Sequence, residues 1–146
     1  MTKIAAQKRL TALWFISSAL LAVLFIAFTV LNRFGAHDTE AWQWYSQNTV
    51  PTLTLIVGSF YAASTQEEAT SPPVDIFHYR VCYYISLFYL LALFATVLAA
   101  PFAQNIAQLT MLELLNNSKI YLTVFQGLVS YSLGVFFVKS VALKQN

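Results

Sequence analysis

The strongest constraint on this chain is where it carries no charge. Leu10–Asn32 runs 23 residues without Asp, Glu, Lys or Arg, Val81–Leu112 runs 32, and Ile120–Val138 runs 19. A helix needs about 20 apolar residues to cross the hydrocarbon core, so all three runs have close to the required length. Only 10% of the residues are charged and 58% are hydrophobic, whereas a soluble domain carries roughly 25% charged residues. A soluble globular domain is therefore excluded. The strict apolar–polar alternation of barrel strands is also absent, which leaves helices.

Trp42–Ser64 is uncharged too, but its first half is polar. Gln43, Ser46, Gln47, Asn48, Thr49, Thr52 and Thr54 crowd the approach to the short apolar run Leu53–Ala63. Lipid tails offer no hydrogen-bond partner, so such side chains must face protein, water or headgroups. This stretch is expected to be the helix around which the others pack. Pro51 predicts a kink or a break within it. The whole chain, 1–146, then reads as one domain, an all-α integral membrane bundle with four transmembrane helices at about 10–32, 42–64, 77–100 and 119–140. Pro101 closes the third span. Beyond it, Ile106, Leu109, Leu112 and Leu115 recur every three residues and predict an amphipathic surface helix at about 103–116.

The ends and loops set an orientation. Lys3, Lys8 and Arg9 precede the first apolar run. That run is longer than the 7–15 residues of a cleaved signal, so a retained anchor is expected. Gly35 suits the helix C-cap, and Asp38 or Thr39 suits the next N-cap. Trp42, Trp44 and Tyr45 read as an aromatic belt at headgroup level. Glu67, Glu68 and Pro72-Pro73 mark a short second loop, 65–75. With both termini cytoplasmic, six Lys/Arg residues fall inside and two, Arg33 and Lys119, outside, as the positive-inside rule favours.

The residue inventory gives little support to catalysis. Cys82 is the only cysteine, so no intrachain disulfide can form and the thiol reads as a packing residue. The net charge of +2 does not suggest nucleic acid as a partner. No ionisable group lies at the centre of a span, whereas proton-coupled transporters usually need one. By this topology His37 and His78 lie on opposite membrane faces, so neither a metal nor another cofactor is expected. Glu113 lacks a second acid or a base beside it in sequence. No nucleophile elbow or phosphate loop occurs. The chain is expected not to be an enzyme.

Three sets of residues remain as candidate sites. Thr54, Gly58 and Ala62 in the second helix, and Thr123, Gly127, Ser130 and Gly134 in the fourth, form small-residue stripes. Such stripes let helices approach closely, either within the chain or between subunits. Gln43, Gln47, Asn48, Thr52 and Thr54, with Gln126 beside the second stripe, are candidates for a polar lining. Arg80, Trp42 and Trp44 are candidates for contact with lipid headgroups.

Pro51-Thr52-Leu53-Thr54-Leu55-Ile56-Val57-Gly58, the run from Phe88-Tyr89-Leu90 to Ala100-Pro101-Phe102, and Phe125-Gln126-Gly127-Leu128 through Leu133-Gly134-Val135-Phe136-Phe137 resemble small bacterial four-helix membrane proteins. Some proteins of that kind accompany anti-phage or conflict genes and disrupt the envelope on activation. The resemblance implies a bacterial inner-membrane location and a self-associating pore or membrane-perturbing effector. An anchoring or assembly subunit of a larger membrane complex is the other open reading. The expected partners are membrane lipids and either further copies of the chain or another membrane protein.

Overall fold

A computed structural model describes residues 3–64 and 76–142, with side chains for 5–61, 76–105 and 107–137. Helix α1 is Lys3–Val30, α2 is Asp38–Ser64, α3 is Ile76–Ala99, α4 is the short Ala103–Ala107 and α5 is Met111–Ala142. Short 3₁₀ turns, Gly35–His37 and Ala100–Phe102, join α1 to α2 and α3 to α4. No strand occurs among the described residues. The segment 65–75 and the tail 143–146 lie outside them, so the expected second loop and its prolines do too.

The long helices alternate in direction. At one end, the starts of α1 and α3 share a cleft containing Arg9 and Arg80. At that same end, Tyr79 meets Phe136 and Phe60 meets Phe137, with ring centroids 6.1 and 6.0 Å apart. At the opposite end, Phe25 stacks on Trp44 at 5.8 Å. There Trp44 Nε1 donates to Ser118 Oγ at 3.0 Å, and Thr96 Oγ1 lies 2.8 Å from the Tyr121 hydroxyl. The core runs between them through Leu10, Trp14, Leu21, Ile56, Tyr89, Leu93, Leu122, Val129 and Leu133. The lipid-like exterior is equally apolar, with Ile16, Val23, Leu91, Val124 and Leu128 exposed. A chain hydrophobic inside and outside belongs in a bilayer.

Three helices, Ala5–Val30, Ile76–Asn105 and Met111–Phe137, are long and apolar enough to cross a membrane. The polar half of α2 keeps it out of that set, although it has 27 residues and lies alongside the other three.

Three local expectations need correction. First, of the kink or break expected at Pro51, the break does not occur: α2 continues through Pro51 as one helix, which is compatible with a kink. Second, α1 ends on Asn32, not Gly35. Asn32 takes φ 51°, its N–H reaches the Thr29 carbonyl at 2.9 Å, and the Arg33 N–H reaches Phe28 at 2.8 Å. This is a Schellman ending with Asn in the left-handed position.

Third, residues 103–116 do not form one surface helix. The backbone turns at Gln108, φ 54°, and α5 begins afresh. Thr110 and Glu113 form a capping box at its start. The Glu113 carboxylate accepts from the Thr110 N–H at 2.7 Å and its hydroxyl at 2.9 Å, while Thr110 Oγ1 accepts from the Glu113 N–H at 3.2 Å. These bonds satisfy amides that a helix start leaves without partners. Thr110→Ala is expected to lower stability by about 1 kcal/mol. Thermal unfolding in detergent should show this loss, and Glu113→Ala should add little to it because both changes remove the same cap.

Candidate functional site

The two faces of α2 divide the polar residues between them. Ala41, Trp44, Asn48, Thr52 and Ile56 recur at three- and four-residue steps and are buried, as one inward helical face requires. Gln43, Gln47, Thr54 and Gly58 occupy the outward face. The expected polar lining is therefore not one surface. Asn48 and Thr52, at 5% and 0% exposure, belong to the interior of the protomer.

Every other long helix is hydrogen-bonded to α2. From α2, the Tyr45 hydroxyl donates to the Ser18 carbonyl of α1 at 3.0 Å, and Trp42 Nε1 donates to Thr29 Oγ1 at 3.2 Å. From α3, the Tyr89 hydroxyl faces both the Asn48 carbonyl and Asn48 Oδ1, each at 3.1 Å. The Asn48 amide nitrogen is itself used, donating to the Trp44 carbonyl at 2.7 Å. From α5, Gln126 Nε2 donates to the Gln47 carbonyl at 2.7 Å.

This last bond explains how Pro51 is tolerated. Proline has no N–H, so the carbonyl four residues earlier, that of Gln47, loses its intrahelical donor. In lipid such a group must find another partner, and Gln126 supplies it. The contact was legible in principle. A proline within a helix directs attention to the carbonyl at position 47, and Gln126 is the only glutamine in the run 120–138.

Several interior polar atoms have no hydrogen-bond partner among the described residues. They are Trp14 Nε1, Ser18 Oγ, Thr52 Oγ1 and Ser86 Oγ, drawn from α1, α2 and α3. Trp14 packs against Tyr89 with centroids 5.9 Å apart. Nothing in the apolar runs around Ser86 and Tyr89 marks them in advance as interior polar groups.

The remaining candidates separate in the same way. Trp44 is buried at 1% exposure and Trp42 is half-buried. Trp44 therefore does not reach headgroups, because its place on the inward face of α2 sends the indole between Phe25 and Ser118. Thr54, Gly58, Thr123 and Gly127 are exposed, while Gln126, Ser130 and Gly134 are half-buried. The side chain of Ala62 lies outside those described. A Cβ built at Gly58, Gly127 or Gly134 would meet nothing within 4 Å. Close packing within the chain does not account for these glycines. Arg80 is exposed beside Arg9.

The arrangement is that of an all-helical membrane protein with at least three candidate spans, tied together by polar contacts on α2. No protein-family model, curated protein or solved structure matches the chain.

Proposed function

We propose that the chain is a non-enzymatic, four-span inner-membrane protein that self-associates through the outward face of α2 and α5. In this reading it forms or gates a polar path between copies. The observation that carries it is the composition of that face. Gln43, Gln47, Thr54 and Gly58 of α2 and Thr123 and Gly127 of α5 are exposed in the single chain, with Gln126 bridging the two helices. A polar side chain left against lipid costs roughly 1–3 kcal/mol. Small residues with open space above them allow a second helix to approach. A path through the protomer is disfavoured because Trp14, Thr52 and Tyr89 lie fully buried between the helices.

α2 is the fourth span in this reading. It runs antiparallel to α1, with Asn48, Thr49 and Thr52 turned inward and Gln43, Gln47 and Thr54 outward. Lys8, Arg9 and Arg80 lie at the end from which α1 and α3 start, and the positive-inside rule assigns that end to the cytoplasm.

Reconstitution into liposomes tests the proposal. Wild-type protein should run as an oligomer at high lipid dilution and support ion flux. Gly127→Leu should leave the unfolding of the single chain unchanged, because the added side chain meets open space, yet reduce both assembly and flux about tenfold. A cysteine at position 54 in a Cys82→Ala background should cross-link between copies. A monomer without flux would overturn the pore, and stoichiometric co-purification of a different membrane protein would favour the anchoring-subunit reading.

A further inference from the structure

One end of the bundle carries a second candidate site, away from the α2–α5 face. Between the N-terminal halves of α1 and α3 lies a cleft of about 500 Å³. Arg9 enters it from α1 and Arg80 from α3, and both are exposed. Neither guanidinium forms an ion pair among the described residues, where His37–Glu40 is the only ion pair. Two like charges brought to one cleft repel each other unless an anion lies between them. Guanidinium groups fit phosphate oxygens by paired N–H donation.

The rest of the lining changes character with depth. Tyr83 and Tyr84 follow Arg80 by about one turn, and Leu13 and Ile16 follow Arg9 by one to two turns. Moving from the helix starts towards the middle of the bundle, Arg9 gives way to Ala12, Leu13 and Ile16 on α1, and Arg80, beside Tyr79, gives way to Tyr83 and Tyr84 on α3. Ile16 and Tyr84 are 61% and 64% exposed, so the aliphatic side of the cleft is open to the bilayer. An anionic headgroup with attached acyl chains shows the same gradient.

We infer that the α1–α3 cleft is a binding site for one anionic phospholipid, with the phosphate between Arg9 and Arg80 and an acyl chain along Leu13 and Ile16. The inference does not depend on self-association. It is tested on the full chain in dodecylmaltoside micelles doped with phosphatidylglycerol, with phosphatidylcholine, or with inorganic phosphate alone. Native mass spectrometry counts the retained lipid, and thermal unfolding reports protection.

Wild type should retain one phosphatidylglycerol and unfold at a higher temperature with it. Phosphatidylcholine should be retained far less, and free phosphate should give no protection. Each of Arg9→Gln and Arg80→Gln should weaken retention about fivefold, and together about 25-fold, while Lys8→Gln should change it little. Three results would overturn the site: equal retention of phosphatidylcholine by wild type, full protection by inorganic phosphate, or undiminished phosphatidylglycerol retention in the folded double variant. The lipid comparison uses wild type alone, so it remains decisive even if the double variant does not fold.

Discussion

Trp44→Ala is expected to destabilise the folded chain by about 3–5 kcal/mol. In a bilayer the loss has an unusual origin. Moving an apolar ring from protein to lipid changes little by itself, because lipid tails are as apolar as the core. The cost comes from the space left behind and from contacts that no other side chain can replace. Trp44 stacks on Phe25 at 5.8 Å with the planes 9° apart, and its Nε1 donates to Ser118 Oγ. Ser118→Ala, which leaves the ring in place, should cost only about 1 kcal/mol. Unfolding in detergent can separate the two. If Trp44→Ala cost less than about 1 kcal/mol, the ring would belong at the headgroup surface, as its position in the sequence suggests.

The second large effect depends on Pro51. Gln126→Leu should remove the side-chain donor on the Gln47 carbonyl, at a cost of about 1 kcal/mol in detergent, rising where lipid denies that carbonyl any other donor. Pro51→Ala restores a backbone N–H to that carbonyl. In the Pro51→Ala background, Gln126→Leu should therefore cost less than about 0.5 kcal/mol, so the two changes should not be additive. Additive costs would show that the Gln126 amide is not what compensates for the proline.

These two residues also show what could be read from the chain. The uncharged runs identified long apolar helices because their length and composition leave few alternatives in water or lipid. The interhelical hydrogen bonds of residues 42–64 followed from polarity, since amides and hydroxyls surrounded by apolar segments must find partners. The other helices do not pack around α2, however: α5 packs against both α2 and α3, whose backbones barely approach each other. Direction around the helix axis was much less legible. Trp42 and Trp44 are two residues apart and both read as interfacial, but a 200° rotation separates them, and only Trp44 enters the core. Rotations of 100° and 200° likewise split Asn48 from Gln47 and Thr52 from Thr54. The capping box at Thr110 and Glu113 was present as Thr-Met-Leu-Glu, yet the three-residue leucine spacing obscured it. Backbone reversals at Asn32 and Gln108 depend on local hydrogen bonds that neither residue specifies alone.

The alternation of the four long helices has an electrical consequence. An α-helix places roughly half a positive charge at its N-terminus and half a negative charge at its C-terminus. With two helices running each way, these end charges largely cancel along the bundle axis. No Asp, Glu, Lys or Arg lies within 10–32, 41–66, 81–112 or 120–138 to add a movable charge at depth. Displacing one elementary charge across a membrane changes the free energy by about 2.3 kcal/mol per 100 mV, but this bundle has almost none to displace. Transmembrane voltage is consequently a weak lever on its conformation.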